Sequence, residues 1–116
     1  MRLIGLAVVL TLLVSIQAFP AEANPFHDRV IALSDAERNM IFSGVLIDER
    51  CVVTRSFFQG FDKNGNAYWN VACTSREPLS IQIMNDTRGS TRVLECSMLR
   101  LIARTECFKK FSSHDR

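Results

Sequence analysis

The chain has 116 residues, 22% of them charged, and a formal net charge of +2 at pH 7. So small an excess of cations excludes the broad electrostatic pull that a nucleic-acid partner requires. The length allows one domain with one modest core.

The first 23 residues read MRLIGLAVVLTLLVSIQAFPAEA. An early arginine, an apolar run from Leu3 to Val14 and the small-x-small pair Ala21 and Ala23 describe an export signal, cut before Asn24. The run is borderline for a retained anchor and has no polar stripe for a buried helix. It also lacks the lipidation cysteine of a lipoprotein and the arginines of a mitochondrial presequence. The expected location is periplasmic or secreted, with no stable membrane insertion after cleavage. Residues 24–33 combine proline and polar residues with little periodicity, which predicts a flexible lead-in to a single domain over 34–111 and a polar tail over 112–116.

Ser34-Asp35-Ala36-Glu37 forms a capping box and predicts a helix start. Ala36, Met40, Gly44 and Ile47, widened by Ile41 and Val45, are the expected sheet-facing stripe. Phe42 and Leu46 then fall on the opposite side, to be covered by another element or a partner, unless the helix ends near Gly44.

From Val52 the pattern changes to strands, Val52–Phe61 and Ala67–Thr74. Asp62, Asn64 and Asn66 between them have the spacing of a calcium loop, but Ala67 stands where such a loop needs glycine and Cys73 where it needs glutamate. A hairpin with Asn64 and Gly65 at the turn accounts for more: it pairs Phe61 with Tyr68 and Gln59 with Asn70, and lays Trp69 across Gly60. A second hairpin follows, Leu79–Ile83 and Thr91–Glu95 about a turn at 85–89. Asn85-Asp86-Thr87 is a glycosylation sequon, relevant in a host that glycosylates exported proteins. A short helix from Ser97 to Thr105 would bury Met98, Leu99 and Ile102 and keep Arg100 and Arg104 wet, and Phe108 and Phe111 would be anchored by Cys107. The fold class is α+β: an N-terminal helix packed on a four-stranded antiparallel meander, with a short C-terminal helix and two disulfides.

Four cysteines in a small exported chain argue for two disulfides. A zinc site is disfavoured because no C-x-x-C pair occurs. The preferred pairs are Cys73 with Cys96 and Cys51 with Cys107. In one continuous helix Cys96 and Cys107 would lie about 16 Å apart, beyond the roughly 7 Å that a disulfide allows between α-carbons. A break near Arg104 would reopen that pairing.

The segments SFFQG (56–60), AYWNVAC (67–73), GSTRVLEC (89–96) and ECFKKF (106–111) resemble a group of small exported alphaproteobacterial proteins that lack an assigned function. The resemblance spans most of the mature chain and implies a periplasmic or secreted location and disulfide use. It carries no catalytic residue.

Catalytic signals are thin. His27 and His114 lie outside the expected core, where exposure is the ordinary state. No G-x-S-x-G elbow, phosphate loop or dinucleotide fingerprint occurs, and Asp48 with Glu49 reads as a solvated helix boundary. Neither a catalytic set nor a metal or other cofactor is expected. The sequence therefore favours a noncatalytic accessory protein that binds another protein or stabilises an envelope assembly, with a homo-oligomer also compatible. Since strand residues alternate sides, Phe57, Phe58, Phe61, Tyr68 and Trp69 cannot all face the helix. Tyr68 and Trp69, rimmed by Arg55, Arg76, Arg88 and Arg92, are the candidate binding residues. A binder of a small molecule or carbohydrate, more remotely a hydrolase, is the alternative, and it predicts a concave pocket with convergent polar groups.

Overall fold

A computed structural model describes residues 24–112; the expected export signal, His114 and the end of the tail lie outside the described residues. Among the described residues three α-helices, α1 (Pro25–Ile31), α2 (Asp35–Val45) and α3 (Cys96–Ala103), accompany four strands, β1 (Val53–Phe61), β2 (Ala67–Cys73), β3 (Leu79–Ile83) and β4 (Thr91–Glu95). The strands form one antiparallel sheet in the order β1-β2-β3-β4, the expected meander.

Residues 24–33 are not a loose lead-in. Asn24 Oδ1 accepts from the His27 amide at 3.2 Å, and Pro25 begins the helix with its φ already suitable. The Asn24 amide nitrogen donates to the carbonyls of Gly65 (3.1 Å) and Ile83 (3.0 Å), so the cap is also a bolt between α1 and both hairpins. His27, expected to be exposed, is buried with Val30. Seven residues are too few to display a helical period, which hid this helix in the sequence.

The α2 capping box forms as expected: Ser34 accepts from the Glu37 amide, and the Glu37 carboxylate accepts from the Ser34 amide. Of the expected stripe, however, only Val45 packs against the core, and the buried side is centred on the residues placed opposite it. Phe42 and Leu46 are fully buried, whereas Met40 and Ile47 are each 72% exposed. The cause is Arg38, which shares the inner face. Its guanidinium lies 4.9 Å over the Trp69 ring and donates to the carbonyls of Val30, Ile31 and Leu33, closing the C-terminal end of α1. A stripe counted from apolar residues alone leaves this charged residue out and so falls away from Phe42.

The first hairpin turns through three residues rather than two. Gly65 N donates to Asp62 O and Asp62 N to Asn66 O, both at 3.0 Å, with Gly65 at φ +84. This is a turn closed by a left-handed residue, where glycine carries no steric cost. The register shifts accordingly: Phe61 pairs with Ala67, Gly60 with Tyr68 and Phe58 with Trp69, with an irregularity at Gln59. Asp62 serves as the turn's anchor. One carboxylate oxygen accepts from the amides of Asn64 and Asn66, and the other from the Asn66 side chain and the Tyr68 hydroxyl.

The disulfides join Cys51 to Cys73 and Cys96 to Cys107, with α-carbons 5.0 and 5.6 Å apart; the expected pairs, Cys73 with Cys96 and Cys51 with Cys107, are not formed. Pairing of Val53 with Cys73 brings Cys51 beside the end of β2. At the other end α3 stops at Ala103, Arg104 adopts φ +55, and the chain reverses so that Cys107 meets Cys96. The break near Arg104 is what makes this local bridge attainable.

Between α2 and the sheet lies the main core, including Phe42, Leu46, Trp69, Val71, Ile81 and Ile83. Every residue of β3 is buried, so both faces of the sheet are covered there.

Candidate functional site

The second face of the sheet is roofed by the chain that follows α3. Tyr68 and Asn70 on β2 and Ser80 and Gln82 on β3 alternate with core residues and so point away from α2. Gln59, Asn70, Ser80 and Gln82 are buried there, and burial of polar groups demands partners. The Gln59 amide donates to the carbonyls of Glu106 (2.7 Å) and Lys109 (3.1 Å), and its oxygen accepts from Asn70. Asn70 Oδ1 accepts from the Phe108 amide at 2.7 Å, and Phe111 N donates to the Gln59 carbonyl. Residues 105–112 thus form a strap bound to the sheet by its polar side chains. Phe108 packs on Phe57 and receives the Arg55 guanidinium 4.2 Å above its ring, while Phe111 meets Tyr68. It is Phe111, not Trp69, that occupies the space over Gly60.

Six residues were candidates for one binding surface, and the structure disperses them. Trp69 is 2% exposed and sits in the core, its indole N–H donating to His27 Nδ1 at 3.0 Å. Tyr68 and Arg92 do share a chain of contacts: Arg92 donates to Gln82, Gln82 to the Tyr68 hydroxyl, and that hydroxyl to Asp62. Burial, then the neighbouring Asp62 charge, pushes the Tyr68 pKa up to about 12, in keeping with a phenol that donates to a carboxylate. Arg55 is engaged with Phe108. Arg76 bridges Glu49 and Glu95 at 3.7 Å each, and Arg88 stays with Asp86 in the β3–β4 turn.

The concave site lies elsewhere, between α3 and the strap. A cleft of about 490 Å³ is lined by Arg100, Arg104, Thr105, Glu106, Lys109, Lys110 and Ser112. Four cations face one carboxylate there, although the whole chain carries a net charge of only +2. Local crowding of like charge is tolerated because these side chains are largely wet, and it gives the cleft a local excess of positive charge. Two folding events build the cleft: the reversal at Arg104 and the clamp of Cys107 on Cys96. Lys110 is further steadied by the Phe58 ring, 4.8 Å from its Nζ.

Beside the cleft, α3 presents an apolar row to solvent. Leu99 alone is buried, whereas Met98, Leu101 and Ile102 are 43, 76 and 61% exposed. The expected burial of Met98 and Ile102 is therefore corrected. An eight-residue helix tethered at one end by a disulfide meets the sheet only along the side of Leu99. The sequence does carry a signal for this site, the density of cations in RLIARTECFKK (100–110); Arg100 and Arg104 are expected to stay wet there, but nothing local brings them together with Lys109 and Lys110.

Among the described residues no group of three His, Cys, Asp or Glu side chains is placed to hold a metal ion, and no helix is long and apolar enough to cross a membrane. Two disulfides in so small a domain are the cysteine usage of an oxidising compartment. Comparisons of the chain with protein-family models, with curated proteins and with solved structures return no match.

Proposed function

We propose that this chain is a noncatalytic exported accessory protein that docks on an acidic component of the cell envelope through α3 and the strap. The observation that carries the reading is the juxtaposition of four cations, Arg100, Arg104, Lys109 and Lys110, with the exposed apolar row of Met98, Leu101 and Ile102. Exposed apolar side chains standing singly need no explanation, but an apolar row on the short helix that also brings Arg100, and Arg104 at its C-cap, to the cleft marks an interaction surface. The lining supplies four cations, two hydroxyls and one carboxylate, a set suited to holding an anion. Cell fractionation tests the reading. The wild-type chain should sediment with the envelope at low salt and be released by high salt, and Arg100→Glu with Arg104→Glu should leave it in the supernatant. A wild-type chain found in the supernatant at low salt would refute envelope docking.

A second reading has its own support: the cleft is concave, with convergent polar groups, and its volume suits a small polyanion. Thermal stabilisation by inorganic phosphate or citrate, saturable and absent from the charge-reversed variant, would favour it.

A further inference from the structure

We infer that the acidic component bound at this site is the anionic surface of a lipid bilayer; the inference rests on the docking reading above and adds the class of partner. Met98, Leu101 and Ile102 stand at i, i+3 and i+4 of α3 and so share one side of the helix. All three project from a convex element and none is aromatic. A protein partner is usually gripped by aromatic anchors and arginines set in well-packed pockets. Here the one tryptophan is in the core, and the one tyrosine is tied to Asp62 and Gln82. An aliphatic row flanked by long cationic side chains is instead the make-up of a helix lying in a membrane interface.

The cations are placed for that role. Arg104 caps the C-terminus of α3, and Lys109 and Lys110 come from the strap across the cleft, so exposed cations stand at the end of the helix that carries the apolar row. The stems of such cations lie along apolar surface while their charged ends reach headgroup phosphates. Glu106 is the one carboxylate lining the cleft. With eight residues, α3 is about 12 Å long, enough for shallow insertion of three side chains and too short to span. The Cys96–Cys107 bridge and the Gln59 contacts hold the row and the cations in fixed relation before binding, so little ordering entropy is lost on docking. Because net charge is small, the attraction is local and calls for an anionic bilayer rather than any bilayer.

Flotation of the mature chain with vesicles tests this. The chain should rise with phosphatidylcholine vesicles containing one-third phosphatidylglycerol, stay down with phosphatidylcholine alone, and be released by salt. Leu101→Ser with Ile102→Ser should weaken vesicle binding at least about 10-fold, as should Arg100→Glu with Arg104→Glu. These four side chains are exposed, and Met40→Ser with Ile47→Ser, an equally exposed apolar pair outside α3, should float as wild type does. Equal flotation with both lipids would overturn the inference. Absence of flotation, with retention on immobilised polyglutamate that the charge reversal abolishes, would overturn the bilayer and uphold docking on an acidic partner. Failure on both supports would overturn both.

Discussion

The Trp69 indole donates its N–H to His27 Nδ1 at 3.0 Å, joining the middle of the sheet to a helix 42 residues earlier. The bond requires Nδ1 to be unprotonated, so the neutral ring carries its proton on Nε2. Burial holds the His27 pKa below its ordinary 6.5, with Arg38 adding to the shift and Asp28 opposing it. Between the folded value and 6.5 the unfolded chain takes up a proton that the folded chain refuses. This contribution to stability is complete above the unfolded value and is lost as pH falls through the folded one. Urea midpoints should therefore drop from pH 7.5 to 5.5 in the wild type (a window chosen against the ordinary 6.5). The drop should be markedly smaller in His27→Gln, which still offers an acceptor but does not titrate. Glu37 and Asp86, both held below their ordinary 4.5 and 3.8 by hydrogen bonds, act at lower pH and leave this window clear. Identical slopes in the two proteins would contradict the assignment.

Gln59 holds the strap with two donated bonds and positions Asn70 with an accepted one. Gln59→Leu should cost about 2–3 kcal/mol, since buried partners lose their mates. The strap should also become open to trypsin at Lys109 and Lys110 before the rest of the chain unfolds. Gln59→Glu should fail to rescue, because a carboxylate cannot donate to the Glu106 and Lys109 carbonyls.

Gly60 has φ +142, and a β-carbon there would lie 2.9 Å from Phe111 Cδ2. Gly60→Ala should destabilise by about 1–3 kcal/mol. In a Phe111→Ala background the 2.9 Å clash with the ring is gone while the backbone strain and a 3.3 Å approach to the remaining β-carbon stay, so denaturation of the double variant should show only partial relief. Complete relief would mean that the phenyl contact alone requires glycine.

Trypsin cuts available at Arg55 and Lys63, and at Arg100 and Arg104, separate the members of each bridge. A non-reducing peptide map should link the Cys51 peptide to the Cys73 peptide and the Cys96 peptide to the Cys107 peptide. A Cys73–Cys96 link would contradict the fold. Replacing Cys96 and Cys107 by serine should cost about 3 kcal/mol by loop-closure entropy, and it should loosen the strap in the same protease assay.

The meander was legible because two-residue alternation in Leu79–Ile83 and turn chemistry at Asn64-Gly65 are local signals that agree with the global fold. What escaped was set at a distance. The burial of Arg38 depends on the Trp69 ring and the end of α1, which are there to receive it only in the folded chain. Trp69 looked presentable until Phe42, Phe58 and His27 enclosed it. The cleft depends on a chain reversal at Arg104, a left-handed arginine that no residue preference announces. Its cations were visible singly, but their convergence was not.

Each cysteine is bonded to its neighbour in sequence, the first to the second and the third to the fourth, over separations of 22 and 11 residues. For any chain delivered N-terminus first, this is the order of arrival. If the chain is exported as proposed, an oxidant that joins every second thiol to the one before it would produce both bridges directly, with an electron acceptor required but no reshuffling of wrong pairs. The β1–β2 hairpin can be locked before the strap has emerged, and the cationic cleft is completed last, when Cys107 closes on Cys96 over a sheet already in place.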